Sequence, residues 1–311
     1  MDGRAGRALS ALVVANAAVD ETYAIEAMPL VGESLVGELR SRDLGGKGAN
    51  VATVLGRAGV GVALVAAIGD DERGAFVRER LAREPVELAL QARPGAPTDL
   101  SIVYRTPDGD NAIVTTVATT RSLDPALAVA AMERLGDGGT LVLQGNLERA
   151  TTFGLARAAR ERGVRVAFNP SPWMAWSGEL LGLVHAVFVN AGEARAATGA
   201  ADAAAVRALL EAGPEAAVLT RGAHGALLGT RAGSAGPEVV DVPAEPARIL
   251  DTTGAGDTYL AVALASAARR GTGLDARALG HAARASAITV SRHGTLAAFP
   301  TRAELAGILG A

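Results

Sequence analysis

The 311-residue sequence predicts an α/β fold: a doubly wound, mostly parallel sheet flanked by helices, with a small β-sheet over the strand ends. Three observations predict it. Short apolar runs rich in β-formers recur along the chain and end in Gly or a polar residue. Amphipathic, Ala-rich segments separate them. Two stretches, 20–45 and 98–118, interrupt this alternation.

The strand-like runs are 11–16, 61–69, 140–144, 164–169, 186–190 and 216–220. Continuous apolar runs of this length read as strands buried on both faces. Helical periodicity places helices at about 48–59, 71–83, 125–135, 151–162, 191–198 and 202–212. Strand–helix alternation implies right-handed crossovers between parallel strands. Ligands of such sheets gather at the carboxyl ends of the strands, where Asn16, Gln144, Asn169, Asn190 and Thr220 fall. The stretch "TDLSIVYRTPDGDNAIVTT" reads as a hairpin turning at Pro-Asp-Gly-Asp. With 20–45 it forms the expected lid, and two such segments need further support, so a lid-to-lid homodimer is expected.

With 49% apolar and 20% charged residues, the chain can bury a sizeable core in one large domain. A net charge of −3 without basic runs excludes a nucleic-acid surface. The longest apolar runs fall well short of the ~20 residues that a membrane span requires, so no membrane partner is expected. Absent cysteines exclude disulfides and thiol chemistry, which suits a cytoplasmic enzyme. The chain has 29 arginines but one lysine, Lys47, inside "GGKGAN". A lysine kept against that drift suggests work for a compact ammonium.

Neither of the common phosphate loops is present. There is no Gly-x-x-x-x-Gly-Lys-[Ser/Thr], and "VVANAAVD" after the first strand has no glycine. "DTTGAGDTY" (251–259) remains, with two acids around a Gly-Ala-Gly turn ahead of an apolar helix. Backbone N–H groups at such a turn suit a transferring phosphoryl group.

"GGKGANVATVLGRAG" (45–59) and "DTTGAGDTYLAVAL" (251–264) resemble the two signature regions of the ribokinase (pfkB-type) family of ATP-dependent carbohydrate kinases. "FNPSP", "VNAGEARAATG" and "LTRGAHGA" lie between them in that family's order. The resemblance runs from about residue 10 to 300. It implies a ribokinase-like three-layer α/β/α sandwich, one kinase domain over 1–311, and transfer of the ATP γ-phosphoryl group to a sugar hydroxyl.

By resemblance, Asp257 is the general base, and Gly254, Ala255 and Gly256 form the anion hole. Asp20, Gly46, Lys47 and Asn50 match the sugar-binding positions. Asn146 stands nearest to where ribokinases carry a glutamate that reaches the sugar, with Glu148 two residues further on. Asn190 and Glu193 match the Asn-x-x-Glu that organises Mg2+ through water. Thr220, Arg221, Gly222 and Gly225 match the nucleotide-phosphate loop. Ala283 replaces an asparagine near the adenine. Asp251 matches the side-chain ligand of a monovalent cation, but Ala298 stands where the family often has a serine, which weakens the K+ expectation.

A sugar kinase, with ribose or a similar pentose ahead of fructose, is therefore expected. A nucleoside kinase would share these motifs, although the lid segments offer only Tyr23 and Tyr104 for stacking. A sugar-phosphate kinase of phosphofructokinase type would use Arg40, Arg42, Arg105 and Arg121. A catalytically silent sugar-binding regulator would have no need of Asp257 or the Gly-Ala-Gly turn.

Overall fold

A computed structural model describes residues 8–108, 111–231 and 236–310. Nine strands form the main sheet: β1 (Leu9–Val14), β4 (Val62–Gly69), β5 (Glu87–Arg93), β8 (Leu135–Gln144), β9 (Arg165–Asn169), β10 (Ala186–Asn190), β11 (Ala216–Thr220), β12 (Ala226–Arg231) and β13 (Pro237–Val242). Their order is β13-β12-β11-β10-β9-β8-β1-β4-β5. All neighbours are parallel except the β11–β12 and β12–β13 pairs. The helices are α1 (Lys47–Arg57), α2 (Glu72–Ala82), α3 (Ala118–Arg121), α4 (Pro125–Met132), α5 (Arg149–Glu161), α6 (Ser177–Leu180), α7 (Ala191–Thr198), α8 (Asp202–Glu211), α9 (Ala255–Arg270), α10 (Ala276–Val290) and α11 (Arg302–Leu309).

The apolar strand runs explain the three layers. In β1, Ala11 and Val13 face one core, whereas Leu12 and Val14 face the other. Alternation along a strand sends successive side chains to opposite faces, so a wholly apolar strand requires a cover on both. One face carries α1, α2, α9, α10 and α11; the other carries α4 to α8. The expected fold class is therefore the observed one.

Four shorter strands form a separate sheet: β2 (Ala18–Ala24), β3 (Glu38–Gly45), β6 (Leu100–Arg105) and β7 (Asn111–Thr115), in the order β3-β2-β6-β7. The β6–β7 hairpin pairs Arg105 with Asn111 and Ser101 with Thr115. Gly109 and Asp110 of its expected turn lie outside the described residues. Because β2 follows β1 after only three residues, this sheet stands over the carboxyl ends of the main strands.

Four strands differ from expectation. β5 and the β12–β13 hairpin extend the main sheet at its two sides; the edge strands β5 and β13 are half-buried and lack a continuous apolar run, and β12 is buried over only its first four residues. β8 starts at Leu135, within the expected helix 125–135, which ends at Met132. Among the described residues, no helix is long and apolar enough to cross a membrane.

Candidate active site

The strand order reverses between β1 and β8. Strands later in the sequence than β8 extend to one side of that pair, and β4 and β5 lie on the other. At such a switch point the loops diverge and leave a crevice at the carboxyl ends. A cleft of about 2100 Å³ opens there, running from the small sheet to the far side of β11. Asn16 after β1 and Asn146 after β8 face each other across the switch, with the Asn146 amide donating to Asn16 Oδ1. Asn146 Oδ1 is buried without a partner, so one acceptor there is left for a ligand.

The two long motifs meet because α1 packs on α9. Gly254 precedes α9 in the left-handed region, with φ +75°, and a Cβ there would sit 2.6 Å from Phe299 Cε1. Glycine alone meets both demands. The Ala255 N–H is spent on Thr252 O at 3.2 Å. Among the described residues, the N–H groups of Gly254, Gly256 and Asp257 have no protein acceptor. Orphan amides at a helix start, with the helix dipole behind them, make an anion-binding site.

Asp257 does not cap its own helix. Its side chain is 6% exposed, its Oδ2 accepts from Asn50 Nδ2 at 2.8 Å, and Lys47 Nζ lies 4.0 Å from Oδ1. Gly46 holds the start of α1 at φ +90°, and a Cβ there would lie 2.9 Å from backbone atoms of residues 16–18. Asp20 is buried on β2, where Ser101 and Thr295 donate to its carboxylate. Burial, helped by the charges of Asp43 and Asp257, pushes its carboxyl up to about 6.

At the other end of the cleft stand Asn190, Glu193, Thr220, Gly222, Gly225 and Ala283. Asn190 and Glu193 form a reciprocal capping box at the start of α7: Glu193 N–H donates to Asn190 Oδ1 (2.8 Å) and Asn190 N–H to Glu193 Oε2 (2.9 Å). Among the described residues, Glu193 Oε1 has no partner. Among the described residues no three His, Cys, Asp or Glu side chains cluster to hold a metal ion.

Several residues expected to meet ligands are engaged by the protein. The Arg221 guanidinium donates to Asp241 (2.6 Å) and His224 O (2.9 Å), which leaves mainly the backbone of its loop for phosphate. Glu148 caps α5 through the Ala150 N–H instead of reaching the cleft. Asp251, matched to a monovalent cation, is held by Arg105 Nη2 at 2.6 Å. Burial alone would raise the Asp251 carboxyl, but the bonds from Arg105 and Thr253 overcome this and hold it below the usual carboxylate value. Of the four lid-region arginines, Arg40 pairs with Glu38, Arg42 with Glu72 and Arg105 with Asp251. Arg121 is the one of the four that lines the cleft. Ser101 and Thr295 were not legible as Asp20 partners, because only the folded chain brings 101 and 295 to residue 20.

Comparison with known proteins gives the family. The family profile described as pfkB family carbohydrate kinase matches residues 15–302. The ribokinase of Bacillus subtilis is 28% identical over 298 residues, covering 96% of this chain and 98% of that protein. The bifunctional protein HldE of Rhodopseudomonas palustris is 33% identical over 282 residues, 85% of this chain and 55% of its own. The crystal structure of a Cryptococcus neoformans ribokinase in complex with ADP superposes with a TM-score of 0.79 at 26% identity, covering 96% of this chain and 99% of that one. With the match spanning nearly the whole chain and both signature regions meeting in one cleft, the chain belongs to the pfkB family of carbohydrate kinases and is an ATP-dependent carbohydrate kinase.

Proposed function

We propose that the chain phosphorylates a hydroxyl of a small sugar, ribose or a related pentose, with Asp257 as general base. One observation carries the reading: the buried Asp257, whose Oδ1 accepts no hydrogen bond from the described residues, sits in the same first turn of α9 as the unpaired amides of Gly256 and its own residue. The sugar oxygen attacks the γ-phosphorus, and the bond to the β-phosphate oxygen breaks. ADP carries away the electron pair, and the hydroxyl proton passes to Asp257 Oδ1. Phosphoryl transfer depends chiefly on positioning and charge stabilisation, which the amides of Gly254, Gly256 and Asp257 supply.

Asp20 accepts sugar hydroxyls, while Lys47, Asn50 and Asn146 hold the ring substituents against Gly46. The loop of Thr220, Arg221, Gly222 and Gly225 takes nucleotide phosphates through its backbone, and Ala283 gives the adenine an apolar wall. Mg2+ bound with ATP would neutralise phosphate charge, and Glu193, with one free carboxylate oxygen beside Asn190, would hold its waters. The carboxylate is suited to that indirect role, since it is the single acid of its capping box. A sugar-phosphate acceptor is the second reading, favoured by Arg121 in the cleft. Its supporting basic cluster is reduced to that one residue by the pairs described above.

An ADP-release screen over ribose, other pentoses, hexoses, their phosphates and nucleosides tests the reading. Asp257→Asn should still bind ATP yet lose at least ~10³ in turnover. Unchanged turnover would remove Asp257 from its role, and preference for a nucleoside would overturn the sugar assignment.

A further inference from the structure

The loop that delivers the α9 amides begins at a buried carboxylate. The Asp251 side chain is 3% exposed; its Oδ1 accepts from Thr253 N–H (3.0 Å) and its Oδ2 from Gly294 N–H (3.2 Å). Two amides and the Thr253 hydroxyl orient this carboxylate but, being neutral, leave its charge unbalanced, and an uncompensated buried charge is costly. The family resemblance supplies a monovalent cation at this position. The donor set here does not suit one. Ala298 offers no side-chain oxygen, and the Thr295 hydroxyl is turned to Asp20. A guanidinium already stands at the carboxylate, since Arg105 Nη2 reaches Asp251 Oδ2 at 2.6 Å from the end of β6. The other titratable group beside it is His293, whose Nδ1 lies 3.4 Å from Arg105 Nη1. A metal cation placed on the same oxygen would meet the guanidinium at close range, a like-charge contact.

We propose that Arg105 is a built-in counter-ion in place of the monovalent cation. It is a positioning residue that fixes the 251–254 loop, and through it the amides at the start of α9, so that turnover does not depend on K+ or Na+. A guanidinium keeps its charge at every working pH and cannot dissociate. Because Arg105 belongs to the small sheet and Asp251 to the loop beneath, the same pair also ties the lid to the phosphoryl-binding turn. This inference rests on the kinase reading above.

The test compares the wild-type chain with Arg105→Ala and Arg105→Lys in K+, Na+ or N-methylglucamine at constant ionic strength. Two readouts are taken: ADP release with the acceptor found in the screen, and the thermal midpoint of unfolding. For the wild type, kcat should agree within about twofold across the three cations, and the midpoint should not respond to K+. Arg105→Ala should lose roughly tenfold or more in kcat with a smaller change in sugar KM, and should regain part of kcat and of its midpoint in K+. Arg105→Lys should fall between the two. Wild-type kcat raised more than about fivefold by K+, or a wild-type midpoint raised by it, overturns the proposal. An Arg105→Ala variant as active as wild type in every cation also overturns it. If no acceptor is phosphorylated in any salt, the kinase reading fails instead, and the wild-type midpoints still decide the role of Arg105 without relying on a variant that folds.

Discussion

Gly256→Ala separates the proposed phosphoryl-binding role of the turn from its structural role. Gly256 is the second residue of α9, exposed toward the cleft, and a Cβ built on it meets nothing within 4 Å. The protein therefore has room for the methyl group. Replacing helical glycine by alanine is worth up to ~1 kcal/mol. Unfolding entropy of about 2.1 cal/mol/K per residue makes that a rise of about 1–2 °C in Tm for a chain of this length. The methyl would occupy the space where a phosphoryl group must approach the orphan amides. Losing one preorganised donor of this kind costs about 10²–10³ in kcat. Expected, then, is a variant at least as stable as wild type with kcat down about a hundredfold or more, measured by thermal unfolding and ADP release. Gly254→Ala is the control: φ +75° and the Phe299 ring at 2.6 Å should cost about 2–4 kcal/mol of stability. A stable Gly256→Ala chain with wild-type kcat would refute the anion-hole reading, because the amides would then have no ligand to lose.

Asp20 gives a pH signature. Its folded value of about 6 lies above the ordinary 3.8, so between those values the folded chain keeps a proton that the unfolded chain has released. Stability should fall as pH rises through that window, by up to roughly 3 kcal/mol, and Asp20→Asn should flatten the profile; parallel wild-type and variant profiles from pH 4 to 7 would refute it. Leu39 and Val114 stand exposed on the two edge strands of the small sheet. Sedimentation velocity at micromolar concentration should therefore find a two-copy assembly that Leu39→Glu dissociates, and a wild-type monomer throughout that range would refute lid pairing.

Legibility in the sequence followed the range of the interactions. The central strands were readable because burial on both faces writes itself as an unbroken apolar run such as "VALVAAIG", every residue of which is buried. The edge strands β5 and β13 are half wet, and their mixed composition carries no such mark. The turn at 254–256 was readable because Gly-Ala-Gly between two acids and ahead of an apolar helix is a local pattern, whereas the Phe299 ring that also demands glycine at 254 lies 45 positions away. The Arg105–Asp251 pair was not, since 146 positions separate the partners and each alone suggests a different task, Asp251 as a cation ligand and Arg105 as a sugar-phosphate contact. The capping box at Asn190 and Glu193 shows a further limit. The Asn-x-x-Glu spacing serves helix capping as readily as ligand binding, and the structure uses it for the first while leaving one carboxylate oxygen over for the second.

The two carboxylates of "DTTGAGDTY" explain why a chain with 29 arginines keeps one lysine. Asp251 is gripped by a guanidinium at 2.6 Å, whereas Asp257 has an ammonium at 4.0 Å and a neutral amide at 2.8 Å. The difference fits their tasks. A rigid, permanently charged guanidinium on one oxygen, with backbone N–H groups on both, holds a carboxylate still, which suits a residue that anchors a loop. A proposed base must keep one oxygen open for an incoming hydroxyl and must be able to accept its proton. An arginine at 47 would compete for that oxygen. Lysine is a single point charge on a flexible stem, here 40% exposed, so it can steady the carboxylate and still move to a substrate oxygen. On the proposed roles, the choice of cation separates two chemically identical side chains, six residues apart, into an anchor and a proton acceptor.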